Sequence, residues 1–354
     1  MILPPSITGL LVFAFALAAS LYGVPKIISI ANRIGLFDMP DKERKMHTHK
    51  IPNVGGIGIF FSFIIVSSLF ITEPLISKWG YIFASCVILF LIGVNDDLLD
   101  VSPIKKLLAQ IIAATLTVYF ADIRISSLYG LFGVHNMPYW CSVLFSISGS
   151  VFVINAFNLI DGIDGLAGAF GVFVSLMLGA CFTIEGNMSG AYLAYSLAGA
   201  VMGFLRYNIT PAKVFMGDTG SLLIGYIVAI LSILLVNSNT KTILIHSASG
   251  AIIMSLSFLF VPVFDCLRVF IVRSVKGISP LKADRRHIHY YLLDIGLTQS
   301  QSVFALLISG ICITTIAYFA QDLNPSTALI YLIIVALILL AIVYFLRRKK
   351  MATK

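Results

Sequence analysis

Two asparagines and two aspartates recur at three-residue intervals in the stretch NAFNLIDGIDGLAG, residues 155–168, between two long apolar runs. In a helix, residues three apart project towards one face, so Asn155, Asn158 and Asp161 would lie together. Their carbonyl and carboxylate oxygens are hard ligands, which suit Mg²⁺ or Mn²⁺ better than zinc. Polar contacts between helices would explain one such asparagine but poorly explain this whole set.

Adjacent aspartates, Asp96 and Asp97, end another apolar run. Because neighbouring carboxylates repel each other, they need a lysine, an arginine or a divalent metal nearby. Lys105 and Lys106 open the next apolar run. An aspartate-rich loop that is merely balanced by these lysines therefore remains an alternative to a metal or substrate site.

A third polar block, GDTG at residues 217–220, predicts a tight turn immediately before an apolar run. The turn would present the Asp218 carboxylate together with backbone N–H groups. Alone, such a turn is a weak signal for function. Asn208 and Phe215 precede it, and together with the other acids the block becomes a candidate for substrate or metal binding.

Two basic blocks contain histidines. Arg285, Arg286, His287 and His289 form a cationic, donor-rich cluster suited to phosphates and sugar hydroxyls, although a solvated basic loop is the simpler alternative. The H-x-H spacing lacks the further ligands that a zinc site requires. In the other block, Lys45, His47, His49 and Lys50 lead into a Gly-Gly pair, and topology signals explain the lysines but not the histidines.

The elements that position these residues are apolar segments. The 354-residue chain is 59% hydrophobic and 11% charged, whereas soluble proteins carry about 25% charged residues. We therefore predict a single all-α polytopic membrane domain over residues 1–354, with about 10–11 transmembrane helices. The first is expected to be an uncleaved span rather than a signal peptide. The segments centre near residues 16, 63, 87, 113, 148, 174, 197, 228, 260, 310 and 336.

The distribution of basic residues predicts the orientation. Of the 24 Lys and Arg residues, all but Lys78, Arg124 and Lys241 fall on one side of the predicted spans. The positive-inside rule then places the N-terminus outside and the C-terminus in the cytoplasm. The predicted cytoplasmic connections are 25–54, 95–106, 158–164, 206–218 and 273–298, followed by the basic tail 347–354, which is expected to act as a topology signal and lipid-headgroup anchor.

The candidate residues above all fall on this predicted cytoplasmic side. A cation-coupled transporter, the main alternative, would distribute ionisable residues through the depth of several spans. It would also be expected to show an inverted repeat, which this sequence does not show. The one-sided clustering favours an active site at the membrane–cytosol boundary.

Five motifs in order, RKMH with PNVGG, DDLLD, NAFNLIDGIDGLAG, VFMGDTGS and DRRHIH, span residues 44–289. Together they resemble the polyprenyl-phosphate N-acetylhexosamine-1-phosphate transferase family, which includes the bacterial phospho-MurNAc-pentapeptide translocase. DRRHIH is similar to the HIHH block of the GlcNAc-1-phosphate branch. Tyr290 stands where that block has its last histidine, which leaves the exact hexosamine open.

The resemblance implies a reaction in the bacterial inner membrane. A UDP-sugar, most often UDP-GlcNAc, would donate its sugar 1-phosphate to undecaprenyl phosphate, releasing UMP, as the first membrane step of a cell-envelope glycan pathway. Mg²⁺ would be the cofactor, with Mn²⁺ as an alternative. A homodimer is compatible with the apolar outer segments, and no nucleic-acid partner is expected. Another UDP-N-acetylhexosamine donor, a lipid-diphosphate phosphatase and a non-catalytic scaffold are further alternatives.

The resemblance also implies roles for individual residues. The metal ligands would be Asn158 and Asp218. The catalytic residues would be Asp96, Asp97, Asp161 and His287. Of these, Asp161 would orient Asn158, and Asp96 or Asp97 would orient or deprotonate the lipid phosphate or act as a covalent nucleophile. The substrate-binding residues would be Lys45, His47, Lys106, Asp164, Asn208, Phe215, Arg286 and His289.

Overall fold

The computed structural model describes residues 4–35, 51–238, 241–277 and 285–352. Within these ranges the chain forms twelve α-helices and one short β-hairpin. The helices are α1 (Pro5–Ile34), α2 (Gly55–Phe70), α3 (Trp79–Leu99), α4 (Pro103–Thr115), α5 (Tyr139–Ile160), α6 (Leu166–Glu185), α7 (Met188–Asn208), α8 (Gly217–Val236), α9 (Ala248–Val275), α10 (Ile288–Ile295), α11 (Gln299–Ala320) and α12 (Pro325–Ala352).

The predicted polytopic helical architecture is confirmed. By length and composition, ten helical segments of the described chain could cross a membrane, and α2, with 16 residues, is a shorter apolar helix. Each predicted segment centre lies within one of these eleven helices. Helix α4 reaches spanning length because it continues as a π-helical turn over Leu116–Phe120.

Two elements were not predicted. Strands β1 (Ser127–Leu131) and β2 (Val134–Asn136) form an antiparallel hairpin between α4 and α5. Gly130 and Gly133 adopt positive φ angles there, which allows the tight reversal. The other element, α10, is an eight-residue helix in the predicted connection 273–298, of which residues 278–284 lie outside the described structure.

Helix α8 lies at the centre of the bundle. Almost every residue from Thr219 to Val236 is buried, and the helix packs against α2, α3, α5 and α6. A helix that is apolar on all sides is stable in such a position, because no face has to meet water. As a result, the GDTG turn at the start of α8 lies among the ends of several other helices.

Small residues allow the closest of these contacts. A Cβ atom at Gly93 of α3 would lie 2.5 Å from Thr219 Cα, and one at Gly56 of α2 would collide with the backbone of Gly220. Helices in membranes associate through such small residues, because their backbones can then approach closely. The packing holds the C-terminal part of α3 and the first turn of α2 against the start of α8.

The helices extend further into the predicted connections than expected. Helix α3 continues to Leu99 and α5 to Ile160, so Asp96, Asp97 and Asn158 lie in final helical turns rather than in loops. Because consecutive long helices run antiparallel, the ends of α3 and α5 and the starts of α4 and α8 meet at the same end of the bundle.

Candidate active site

Lys106 joins two carboxylates at this end of the bundle. Its Nζ lies 3.0 Å from Asp96 Oδ2 and 2.9 Å from Asp218 Oδ2. All three side chains are largely buried, with 14 to 23% of each exposed. The ion pairs therefore connect the end of α3, the start of α4 and the start of α8 in a region where charges are only partly screened.

Asn158 extends this cluster to α5. Its Nδ2 donates to Asp218 Oδ1 at 2.7 Å and to Ser221 Oγ at 3.0 Å. One turn earlier, Asn155 exchanges two hydrogen bonds with Gln110 of α4. Asn155 Nδ2 donates to Gln110 Oε1 at 2.6 Å, and Gln110 Nε2 donates to Asn155 Oδ1 at 3.5 Å. The i, i+3 spacing thus places both asparagines on the face of α5 that meets α4 and α8, as the sequence pattern predicted.

Asp97 has a different environment from its neighbour Asp96. Its carboxylate accepts hydrogen bonds from Asp218 N at 2.7 Å, Thr219 N at 3.1 Å, Thr219 Oγ1 at 2.6 Å and Asn53 Nδ2 at 3.1 Å. It therefore satisfies the free N–H groups at the start of α8 and acts as a cap supplied by another helix. Gly217 has a φ of 70°, and a side chain there would collide with this carboxylate.

The segment before α2 is attached to the same turn. Gly55 N donates to Phe215 O at 2.9 Å, and Phe215 N donates to Pro52 O at 3.0 Å. Gly56 N adds a bond of 2.9 Å to Met216 O. These backbone pairs explain why PNVGG and VFMGDTG occur together. The predicted substrate-binding residues Lys45 and His47 lie outside the described residues.

Asp164 and Asn208 organise the loop between α5 and α6. The buried Asn208 accepts from Gly165 N at 2.9 Å and donates to Val214 O at 2.9 Å. Asp164 Oδ2 accepts from Ala212 N at 3.3 Å. Both side chains thus bind backbone groups of the loops beside the acidic cluster, and their predicted part in seating the nucleotide stays a prediction.

Asp161 stands at the end of α5, next to this loop. Removal from water and then the negative charges of Asp218, Asp97 and Asp164 raise its pKa to about 8. A substantial share of the Asp161 side chains is therefore neutral near pH 7. These neighbouring charges show that negative charge is concentrated around Asp161. A cation bound there would lower the pKa of Asp161 again.

A second cluster is centred on Asp265 of α9, which the sequence analysis did not assign to the site. Its carboxylate accepts from Arg268 Nη2 at 2.7 Å and from Ile288 N at 3.2 Å. His287 Nδ1 lies 2.8 Å from Asp265 Oδ2 and, facing a carboxylate, is the protonated ring nitrogen. The acid within an apolar run was a signal for such partners.

His289 connects the two clusters. Its ring is fully buried and lies parallel to that of His287, with 5.6 Å between the ring centroids. It packs against the backbone of Gly162, where an added Cβ would lie 2.9 Å from His289 Cε1. Burial lowers the pKa of His289 to about 3, so the ring is neutral. Neither ring nitrogen has a hydrogen-bond partner among the described residues.

The remaining predicted residues surround these clusters. Arg286 is half-buried, and its backbone oxygen accepts from Arg268 Nη2 at 2.5 Å. Phe215 is half-buried beside the GDTG turn. Tyr290, which replaces the expected histidine, lies next to His289 at a centroid distance of 4.2 Å, and the Arg285 guanidinium lies over its ring at 5.1 Å.

The carboxylate of Asp218 and the carboxamide oxygen of Asn158 suit a magnesium ion, provided that the Asn158 amide turns so that Oδ1 rather than Nδ2 faces Asp218. Carboxylate and carboxamide oxygens are hard ligands, and Mg²⁺ commonly uses one or two carboxylates together with substrate phosphates and water. The described residues contain no group of three or more His, Cys, Asp or Glu side chains arranged for a metal. Two protein ligands would leave the remaining positions of such an ion to phosphate oxygens and water.

Comparisons with known proteins identify one family. Residues 79–236 match the model of glycosyl transferase family 4. The chain is 30% identical to undecaprenyl-phosphate alpha-N-acetylglucosaminyl 1-phosphate transferase of Escherichia coli O157:H7 over 88% of this chain and 84% of that protein. It is 31% identical to the probable undecaprenyl-phosphate N-acetylglucosaminyl 1-phosphate transferase of Bacillus subtilis (strain 168), covering 93% and 90%. The Yersinia pestis relative is 27% identical over 93% and 89%.

Proposed function

Because the chain belongs to glycosyl transferase family 4, among the polyprenyl-phosphate N-acetylhexosamine-1-phosphate transferases, we propose that it transfers GlcNAc-1-phosphate from UDP-GlcNAc to undecaprenyl phosphate. The products are undecaprenyl-diphospho-GlcNAc and UMP. The observation that carries the proposal is the contact of Lys106 with both Asp96 and Asp218, next to Asn158, at one end of an apolar helical bundle.

The reaction brings several negative charges together. An oxygen of the lipid phosphate attacks the phosphorus that bears the sugar, and the bond from that phosphorus to the bridging oxygen breaks as UMP leaves. Catalysis of such a transfer depends mainly on positioning and charge neutralisation. We assign Lys106 to the binding of the diphosphate. Its ammonium group lies between two carboxylates and can turn from them towards an incoming phosphate.

Asn158 and Asp218 are the residues that would hold Mg²⁺. When bound, the ion would neutralise phosphate charge and polarise the phosphorus–oxygen bonds. Asp161 would support Asn158 from the end of the same helix, where the local excess of carboxylates favours a cation. Mn²⁺, which prefers the same oxygen ligands, is expected to substitute.

The contacts of the adjacent aspartates support different roles for them. Asp97 accepts four hydrogen bonds from Asn53, Asp218 and Thr219, which favours a positioning role for it. Asp96 faces Lys106 and is the better candidate to orient the lipid phosphate. Direct attack needs little base assistance, because a phosphate monoester has a second pKa of about 6. A stable acyl-phosphate on Asp96, formed with nucleotide sugar alone, would contradict this assignment.

The nucleotide and sugar are assigned to the residues around the 161–165 loop. Phe215 would stack on the uracil, while Asp164 and Asn208 shape the loops around it. Arg286, His287 and His289 would contact the diphosphate and the sugar. Neutral His289, with two nitrogens that lack partners among the described residues, is suited to hydrogen-bond sugar groups. GlcNAc is the preferred sugar because the relatives' names specify it.

The membrane setting follows from the helices and the charges. The chain is a multi-pass membrane protein, and we place it in the bacterial inner membrane with its site, loops and C-terminus on the cytoplasmic side. The support is the excess of Lys and Arg on that side. There the basic residues would also raise the local concentration of both anionic substrates.

The proposal is tested with purified protein, undecaprenyl phosphate and a panel of UDP-sugars, with and without Mg²⁺. Mass spectrometry of the lipid should show a diphospho-GlcNAc product only with Mg²⁺. The variant Asp218→Asn should reduce its formation by about 10²-fold or more. Asp100→Asn is the matched control, since Asp100 is an exposed acid near the same cluster and asparagine tolerates its positive φ of 51°. Ion flux without UMP release would instead support a transporter.

A further inference from the structure

The end of α12 is attached to α10, the short helix that begins immediately after His287. Arg347 Nε donates to Asp294 Oδ2 at 2.9 Å, and its Nη2 lies 2.8 Å from the same oxygen. The Arg347 guanidinium also lies 4.1 Å from the centroid of the Tyr291 ring. One basic residue of the C-terminal helix thus contacts two side chains of α10.

A second contact lies at the end of α10. Lys350 Nζ donates to Ile295 O, one of the carbonyl groups that end the helix. Gly296 follows with a φ of 106° and closes the helix. A cation is favourable at this position, because the helix dipole places partial negative charge at the C-terminus.

These contacts continue to the histidine cluster. Tyr291 also lies under the Arg268 guanidinium, 5.3 Å from the ring centroid. Arg268 donates to Asp265, and Asp265 contacts both His287 Nδ1 and Ile288 N, at the start of α10. Arg347 and Arg268 therefore both contact α10 through the same aromatic ring.

A lipid-headgroup anchor does not explain this geometry. An anchor needs exposed cations, and Arg348, which is exposed, meets that need. Arg347 instead has a side-chain exposure of 25% and faces Asp294, whose own exposure is 30%. Two adjacent arginines in the same helical turn consequently have different environments, which provides a matched pair for experiment.

We propose that Arg347 is a positioning residue for the sugar-binding part of the active site. It fixes α10 through Asp294 and Tyr291 and thereby holds His287 and His289 in place, an inference that rests on the proposed function. The C-terminal end of α12 then contributes to recognition of the nucleotide sugar without touching it.

The test compares Arg347→Ala with Arg348→Ala, which remove the same charge from the same turn. Arg347→Ala should raise KM for UDP-GlcNAc about fivefold to tenfold, a size common for residues that act through a neighbour. Its kcat and its KM for undecaprenyl phosphate should change by about twofold or less. The variant weakens the binding of UDP-GlcNAc equally in the ground state and the transition state. Arg348→Ala should behave like the wild-type protein.

Two further measurements separate positioning from a general loss of structure. Asp294→Asn should raise KM by a smaller factor, because the contact of Arg347 with Tyr291 remains. The double variant R347A/D294N should be no worse than Arg347→Ala, since that change already removes the shared ion pair. Hydrogen exchange should be faster in α10 of Arg347→Ala but not of Arg348→Ala.

Equal KM values for Arg347→Ala and Arg348→Ala, or unchanged hydrogen exchange in α10, would overturn the positioning role. A wild-type protein that transfers no sugar phosphate would refute the proposed function instead. Because exchange in α10 is measured without substrate, the two failures can be distinguished.

Discussion

The acidic cluster and the histidine cluster meet at the 161–165 loop but are built differently. The acidic cluster gathers four carboxylates, of which Lys106 contacts two. Its members are Asp96, Asp97, Asp161 and Asp218. In the histidine cluster, the single carboxylate of Asp265 already binds Arg268, His287 and a backbone N–H group. One cluster has an excess of negative charge, whereas the other is balanced by its own residues.

This difference indicates that the two clusters are suited to different parts of the substrates. A cluster with surplus carboxylates and oxygen donors is suited to a cation that arrives with phosphates. A balanced, buried cluster with a neutral His289 is suited to recognise an uncharged group such as a sugar. The segment that matches the family model, residues 79–236, contains the acidic cluster and ends before Asp265.

The largest effect is expected from Asp218→Asn. It removes the proposed metal ligand and a partner of Lys106, so kcat should fall by about 10²- to 10³-fold or more, as for the loss of a group that stabilises developing charge. Steady-state transfer assays measure this effect, with Asp100→Asn as the control. A decrease in kcat of about tenfold or less would contradict the assignment of the acidic cluster to catalysis.

Asp97→Asn and Asp96→Asn should separate structure from chemistry within the acidic cluster. Each Asp97 oxygen accepts from one of the two N–H groups, so Asp97→Asn places an amide donor against either Asp218 N or Thr219 N. The change should lower the free energy of unfolding by about 2 kcal/mol. Asp96→Asn should lower it by about 1 kcal/mol or less but should reduce transfer strongly. Thermal unfolding in detergent measures the stability of the two variants, and transfer assays measure their activity. Equal loss of stability in both variants would contradict the cap that Asp97 provides.

Gly162→Ala tests the contact between the clusters. The added Cβ would overlap the His289 ring, and overpacking of this kind costs about 1–3 kcal/mol, so KM for UDP-GlcNAc should rise about tenfold. Gly149→Ala is the control, because a Cβ at Gly149 meets nothing within 4 Å. If Gly162→Ala changed only kcat and left KM unaltered, the histidine cluster would not be the sugar side.

The last prediction concerns the dependence of stability on pH. The folded pKa of His289 is about 3 against an ordinary value of 6.5. Between these values the unfolded chain binds more protons, so stability is full above pH 6.5 and is lost as the pH falls towards 3. His289 should account for about 2 kcal/mol between pH 7 and pH 5. Denaturant unfolding should be less acid-sensitive in His289→Asn, while His135→Asn, at an exposed histidine, should match wild type.

The helical bundle could be predicted from the sequence because an apolar run of spanning length is a local property. All eleven predicted centres lie in helices, including those of the short α2 and of α4. The hairpin and α10 were missed, since three to eight residues give too short a pattern. The relative positions of the motifs could not be derived locally either, because Lys106 and Asp218 are 112 residues apart.

The role of each residue was harder to predict than which residues lie together at the site. Asp96 and Asp97 look equivalent in sequence, and only the partners from Asn53 and α8 distinguish them. Asn208 looks like a recognition residue, yet its side chain bonds to Gly165 and Val214. Hydrogen-bond partners far apart in the chain depend on packing, which a single sequence does not reveal.

The central claim is that Asp218 and Asn158 hold a divalent ion together with the substrate phosphates. Electron paramagnetic resonance of Mn²⁺ with UDP-GlcNAc and purified protein tests it most directly, because it does not depend on turnover. Wild-type protein and Asp100→Asn should bind Mn²⁺ with the same affinity, and Asp218→Asn should lose that binding. Equal Mn²⁺ binding by Asp218→Asn would contradict the account.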